Sequence, residues 1–359
     1  MIPYISLFAT TSFFSVIALD KRSHLTQMIP VIFLSLVLFV GVRYASVDYF
    51  GYAEIYDYVT NFSELSFPNY VPSTGEKPTE SLFSLIILIV KLFKGNYEIF
   101  IFLVALISIG IKIYAFKKMS NFFFFSLLLY VSMYIGKDMG QIRNGLASGI
   151  VLLSIMYTYN KNFLKFHFAA FSAMLVHVSG ILAFVLYYIR PFSRTLVMFA
   201  VLFISFGVAV YGGVGILLTE ILAELFGLGM EFRLIRYVES IYAESYSLFG
   251  GTAIIHLFTA VAIIYFKQKL ISINKYNLVL IPMYVYGVAA MMIFIDYGVI
   301  FARIKDTFCL PSSMIMIPSF LVIFEKHTKI FAYLLFMAYC VVMFYFSIPS
   351  EQYATVLYN

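Results

Sequence analysis

The chain has 359 residues, of which 62% are apolar and only 12% charged, with a formal net charge of +6. A soluble domain carries about 25% charged residues, so this chain has too little charge to cover a water-facing surface, and a soluble globular class is excluded. The basic excess forms no Lys/Arg-rich run or stripe, which excludes a nucleic-acid-binding surface.

Apolar segments recur along the chain at approximately 2–19, 27–42, 80–93, 97–116, 121–136, 143–159, 166–189, 194–212, 250–266, 276–296, 303–324 and 330–348. Many approach or exceed the ~18–20 residues that cross a hydrocarbon core. All are expected to be helices, because an open strand leaves unpaired amides in lipid. The first, Ile2 to Leu19, lacks a basic n-region and a small-x-small cleavage site, so it is expected to be a span and not a cleaved signal. No internal repeat, Gly/Ser linker or low-complexity tract interrupts the series. The expected fold is all-α, a polytopic transmembrane helical bundle forming one embedded domain over residues 1–359.

Basic residues set the expected orientation. Connectors 20–26 (Lys21, Arg22), 267–275 (Lys267, Lys269, Lys275) and 325–329 (Lys326, Lys329) read as cytoplasmic. The two long loops, 43–79 and 213–249, are acidic: Asp48, Glu54, Asp57, Glu64 and Glu76 dominate the first, and five Glu face two Arg in the second. Both loops and both termini are expected outside. Twelve full crossings would place Lys117, Lys118, Lys161 and Lys165 outside as well. If segment 80–93 and one of 143–159 or 166–189 are re-entrant, those lysines return to the cytoplasm, so 10–12 spans are expected.

Candidate functional residues lie mostly near the outer ends of these segments. Arg43 follows a clean apolar run, with Asp48 within pairing reach and Tyr44, Tyr49, Tyr52, Tyr56 and Tyr58 behind it. Such tyrosines serve either as an interfacial aromatic belt or as flat faces and hydroxyls for sugars. Gln141 and Arg143 head an apolar helix whose next turn carries Gly145, Ala147, Ser148 and Gly149. That pattern suits close helix packing, an ordinary interfacial arginine, or an anion site at a helix N-terminus. His177 is expected midway through segment 166–189, where ionisable groups are costly and face a cavity or a partner. It serves there as a proton acceptor or donor, or as a helix-helix hydrogen bond. Arg233 and Arg236 lie in the second long loop, which is expected to form interfacial amphipathic helices, with Glu231 and Glu239 as alternative ionic partners. Arg303 opens a late span on the outer side. Arginines outside run against the positive-inside bias and are suited to phosphate. Cys309 and Cys340 read as buried free thiols, and no His/Cys spacing suits a metal.

Taken in order, Arg43-x4-Asp48-Tyr49-x2-Tyr52, Glu80, Ile142-Arg143-x2-Leu146-Ala147, His177-x-Ser179 and Ala302-Arg303-Ile304 resemble the EpsG-like family, a branch of the Wzy-type polysaccharide polymerases of O-antigen and capsule assembly. The resemblance runs from about residue 38 to 325. It departs at Ser46-Val47, where the family usually has Gly-Thr before Asp-Tyr. The resemblance implies a multi-pass glycosyltransferase of the bacterial inner membrane, acting at the periplasmic face. Its substrates would be undecaprenyl-diphosphate-linked oligosaccharides, polymerised without a nucleotide sugar, cofactor or metal, with a chain-length regulator and a flippase as pathway partners. On that reading Arg143, Arg303, Arg43 and Arg236 bind diphosphate, and His177, Asp48 or Glu80 takes the acceptor proton. Tyr49, Tyr52 and Gln141 contact sugar. A flippase of lipid-linked oligosaccharides is the main alternative, but paired half-chain repeats with Gly/Pro-interrupted helices are not evident; an O-antigen ligase is the nearer one.

Overall fold

Lipid offers no partner to a backbone amide, so each apolar segment closes its hydrogen bonds on itself, and the computed structural model is accordingly almost entirely helical. It describes residues 2–18, 25–189, 193–225, 244–324, 329–347 and 354–355. The chain divides into two compact units, Met1–Phe184 with Ile317–Asn359, and Val185–Met316.

The first unit opens with α1 (Ile2–Ile17) and α2 (Ile29–Gly41), then a short strand β1 (Arg43–Ala45). The long loop that follows is structured. It contains α3 (Tyr49–Tyr58) and two strand fragments, β2 (Asn69–Tyr70) and β3 (Thr79–Glu80), which pair antiparallel with Asn69 opposite Glu80. Then come α4 (Ser81–Leu92), α5 (Tyr97–Met119), α6 (Phe123–Met133), α7 (Ile135–Gly140), α8 (Ile142–Tyr159), α9 (Phe163–Val176) and a 3-10 stretch, Val178–Phe184. Asn96 and Asn162 cap α5 and α9, accepting from the amides of Ile99 at 3.0 Å and Lys165 at 3.1 Å.

The second unit runs through α10 (Val185–Ile189), α11 (Thr195–Val210), α12 (Gly215–Leu225), α13 (Gly251–Tyr265), α14 (Lys267–Ile273), α15 (Asn277–Ile293), α16 (Gly298–Ile304), a π turn Lys305–Cys309 and α17 (Leu310–Met316). The chain returns to the first unit with a 3-10 stretch Ile317–Val322, α18 (Lys329–Ser347) and β4 (Ala354–Thr355), which pairs with β1.

Helix α6 is the centre of the first unit, buried from Phe124 to Met133. α1 and α18 cover it through aromatic contacts, with Phe125 and Phe336 rings 5.4 Å apart and Phe14 and Phe124 rings 6.4 Å apart. α8 meets α5 through its small residues. A Cβ on Gly149 would already touch Ile111 at 3.4 Å and the Ser108 carbonyl at 3.5 Å, which is the close backbone approach the Gly/Ala/Ser pattern suggested. In the second unit α15 is the buried helix, with α11, α13 and the π turn around it. Gly287 admits Phe308 and Cys309 there, since a Cβ would lie 2.7 Å from the Phe308 Cβ. Cys309 and Cys340 are both buried and free of any disulfide.

Several expected helices prove to be broken. Segment 166–189 ends its α-helix at Val176, and His177 adopts extended backbone (φ −157°, ψ 133°) before the 3-10 stretch. The break is possible because Gly180 presses against the preceding helix; a Cβ there would lie 2.4 Å from the Ala173 carbonyl carbon. Segment 121–136 also ends early, and α7 is a separate short helix before α8. Two helices, Tyr97–Met119 and Ile330–Ser347, are long and apolar enough to cross a membrane. Up to four spans result if the bent pairs Thr195–Val210 with Gly215–Leu225 (99°) and Gly251–Tyr265 with Lys267–Ile273 (77°) each count as one. The remaining apolar helices have 10–17 residues. The fold is therefore all-α, and among the described residues two to four candidate spans are long and apolar enough to cross a membrane; helix length by itself does not show the 10–12 crossings expected. The amphipathic helices expected around Arg233 and Arg236 lie outside the described residues.

Gly180→Ala should lower thermal stability in detergent or nanodiscs by about 1–3 kcal/mol, the usual cost of overpacking. Gly207→Ala, whose added methyl meets nothing within 4 Å, should be neutral or slightly stabilising. Equal melting behaviour of the two variants would contradict the close approach at Gly180.

Candidate functional site

The site begins with the loop after α3. Glu64 accepts hydrogen bonds from the Tyr70 and Ser73 hydroxyls and from the Ser73 amide at 3.2 Å. The Ser73 and Tyr70 hydroxyls hold its carboxyl down to about 2. Tyr70 is fully buried, and its oxygen also accepts from the amides of Thr60 at 3.0 Å and Asn61 at 3.3 Å. This clip fixes β2, β2 fixes β3, and β3 delivers Glu80 in extended backbone (φ −66°, ψ 138°) at the first residue before α4.

Glu80 is 4% exposed and takes partners on both carboxylate oxygens. Oε2 accepts from Arg143 Nη1 at 2.7 Å and from Thr79 Oγ1 at 3.4 Å. Oε1 accepts from His177 Nδ1 at 3.1 Å and from the Val178 amide at 3.3 Å. Burial by itself would raise the Glu80 carboxyl. The Arg143 charge and the His177 hydrogen bond outweigh it and hold the group well below the usual carboxylate range. An ionised carboxylate only accepts, so Nδ1 of His177 carries the proton and, in the neutral ring, Nε2 is the basic nitrogen.

Arg143 arrives from the first turn of α8, and Thr79 Oγ1 gives its Nη1 a second contact at 3.3 Å. Its guanidinium lies over the rings of Tyr52 at 5.4 Å and Phe83 at 5.8 Å. Nε is buried with no hydrogen-bond partner. A neighbouring contact ties the same turn to the break in α9, because Ser179 Oγ donates to Asn144 Oδ1 at 3.2 Å. Three helix ends therefore meet at one carboxylate: the start of α4, the start of α8 and the end of α9.

Of the sequence candidates, Glu80, Arg143 and His177 come together in direct contact, with Tyr52 beneath the guanidinium. Tyr49 and Tyr52 are both buried in an aromatic cluster. The Tyr49 ring meets Tyr97 at 5.1 Å, and its carbonyl accepts from the Tyr97 hydroxyl at 2.6 Å. Arg43 is 3% exposed, donates from Nη1 to the Val40 carbonyl and acts through its charge on Tyr97 and Tyr49. Asp48 is exposed at the start of α3. Gln141 lies between α7 and α8, where its Oε1 accepts from Lys137 Nζ at 3.4 Å and Asn144 Nδ2 at 3.5 Å. Arg303 belongs to α16 of the second unit and is half-buried there. Arg236 lies outside the described residues.

Sequence reasoning missed Lys112, which sits on α5 with Asp138 of α7 at 2.9 Å. The available signal was a lysine deep inside an apolar run, an arrangement that in lipid demands a partner. It also missed Thr79 and Asn144, which carry no such signal, while Ser179 entered only as part of the His177-x-Ser179 motif.

The arrangement combines a cation with hydrogen-bonding capacity in reserve and an imidazole oriented by a carboxylate. The first suits an anionic leaving group, the second proton transfer at Nε2. No described cluster of three or more His, Cys, Asp or Glu could hold a metal.

Glu80→Gln should destabilise the protein by about 3 kcal/mol at neutral pH, because Arg143 loses its buried counter-charge. A depressed folded value means the carboxylate's stabilisation is complete above the unfolded value of 4.5 and is lost as pH falls through the folded one. The melting-temperature gap between the native protein and Glu80→Gln should therefore be flat from neutral pH down to the ordinary carboxylate range and close below it. A gap unchanged in strong acid would rule out this ionised pair.

No curated protein and no solved structure matches the chain. The EpsG family model matches residues 27–359, nearly its whole length. Apolar helices throughout, with Arg143, Glu80 and His177 gathered at their ends, accompany that match. The chain belongs to the EpsG family, a family of Wzy-like polymerases.

Proposed function

We propose that this membrane polysaccharide polymerase joins lipid-diphosphate-linked oligosaccharides, with undecaprenyl diphosphate as the leaving group and the reaction on the periplasmic side. The observation that carries the reading is the Glu80-bridged pair of Arg143 and His177. In the reaction, the anomeric C–O bond to the donor diphosphate breaks and a new C–O bond forms to an acceptor sugar hydroxyl. The hydroxyl proton passes to His177 Nε2, and the electron pair of the broken bond leaves on undecaprenyl diphosphate.

Each group has a physical task. Diphosphate gains negative charge as it leaves, so a preorganised guanidinium stabilises the transition state more than the ground state. Arg143, whose side chain is 17% exposed, offers the N–H groups of its other terminal nitrogen for that purpose while Nη1 remains on Glu80. Glu80 holds the imidazole by Nδ1 and favours its protonated form as the hydroxyl attacks. Arg43 is a further diphosphate ligand in this proposal, with Asp48 as an additional outer carboxylate and Gln141 as a sugar contact. Tyr49 and Tyr52, buried among other rings, back the sugar side from behind, Tyr52 also supporting Arg143 from below. The acidic loops, including 43–79 with its structured clip, face the periplasm; with α4 and one of segments 143–159 or 166–189 re-entrant, ten crossings, the lower end of the 10–12 expected, bring Lys117, Lys118, Lys161 and Lys165 to the cytoplasm. A chain-length regulator and a flippase of the same pathway supply and govern the substrate.

The test is direct. Purified protein in nanodiscs, given defined undecaprenyl-diphosphate repeat units, should produce a ladder of longer glycans and release undecaprenyl diphosphate. Arg143→Ala should reduce the rate about 10²–10³-fold, and His177→Ala about 10²–10⁴-fold. No ladder from intact substrate would overturn the activity; full laddering by both variants would overturn the site.

A further inference from the structure

Lys112 and Asp138 form a 2.9 Å ion pair with each side chain only 1% exposed. The pair plays no direct part in the proposed chemistry. A fully buried ion pair is a poor source of stability, since desolvation offsets most of the attraction. Its value has to be sought in what it holds in place.

Each polar side-chain atom of the pair has a partner. The Lys112 ammonium donates to Asp138 Oδ1 at 2.9 Å, Ser108 Oγ at 2.7 Å and the Gly145 carbonyl at 2.8 Å. That exhausts the three protons of an ammonium. Asp138 Oδ1 also accepts from Ser108 Oγ at 2.7 Å, and Oδ2 accepts from the Tyr130 hydroxyl at 2.6 Å. The Tyr134 ring faces the ammonium at 5.3 Å. One cation thus joins α5 to α7 and to the first turn of α8. Gly145 seals the junction, because a Cβ there would lie 2.4 Å from Asp138 Oδ1.

Gly145 is two residues beyond Arg143 on the same turn. One residue of helix slippage rotates a side chain by about 100°, enough to carry the guanidinium off Glu80. An apolar contact between α5 and α8 would tolerate sliding and rotation, whereas three directional bonds from one ammonium do not. We propose that Lys112 and Asp138 are positioning residues that fix the register of α8 and so hold Arg143 against Glu80 and His177. The proposal rests on the reading of Arg143 as the diphosphate ligand.

The combined replacement Lys112→Met with Asp138→Leu tests it, because exchanging both members of a buried pair for apolar residues commonly preserves stability. The variant should melt near the native temperature yet polymerise about 10- to 100-fold more slowly. Added to Arg143→Ala it should cause little further loss, since both changes act through one group. Lys112→Gln with Asp138→Asn keeps hydrogen bonding without charge and should recover most of the rate; it also serves if the apolar pair does not fold. A second arm does not depend on activity. Arg143→Cys, labelled with a hydrophilic maleimide while Cys309 and Cys340 stay buried, should react faster once the pair is replaced. A stable apolar variant with native rate and unchanged labelling would overturn the positioning role, as would additive losses with Arg143→Ala. If the native protein makes no polymer, the functional reading fails, and faster labelling would still support the register role.

Discussion

The carboxylate of Glu80 is the constraint around which the first unit is organised. It is nearly inaccessible and accepts from an arginine, a histidine and a backbone amide. In a medium where charge is expensive, such a group survives ionised only with all of its partners in place. That requirement links three chain segments, because Arg143 lies 63 positions away from Glu80 and His177 lies 97. The break in α9, the turn into α8 and the paired strands before α4 are the local structures that satisfy it.

Helix ends recur as functional points in this chain. A continuous apolar helix shows lipid or protein only its side chains, whereas an interrupted one exposes backbone groups and brings polar side chains to one level. At His177 the interruption supplies the Val178 amide to Glu80; at Gln141 it places Arg143 in the first helical turn. The second unit uses the same device for structure. Asp296 accepts from the amides of Gly215 at 2.8 Å and Ile216 at 3.1 Å, so a carboxylate caps the start of α12. His256 is likewise buried and held by the Tyr284 hydroxyl at 2.7 Å.

Two buried charge clusters divide the work in the first unit. Lys112 and Asp138 close on each other, on the Ser108 and Tyr130 hydroxyls and on the Gly145 carbonyl, leaving no donor of the ammonium unspent. Arg143 and Glu80 leave the guanidinium with N–H groups in reserve and a side chain 17% exposed. The first arrangement suits an anchor and the second a binding group.

Hydropathy and charge by themselves determined the membrane class, the helical state of nearly every segment and the small-residue face of α8, because each follows from composition within one short stretch. The ordered motifs also pointed to the family and to Glu80, Arg143 and His177. Local sequence does not encode that these three touch, that α9 stops at His177, or that Tyr49 and Tyr52 lie buried among other rings. Those outcomes depend on partners distant in sequence: an ion pair can form only where the fold brings opposite charges together, and a helix gives way where another segment offers its freed backbone groups a better partner. Lys112 marks the boundary between the two kinds of information. Its place in an apolar run announced that it needs a partner, and only the packing of α5 against α7 and α8 decided that the partner is Asp138.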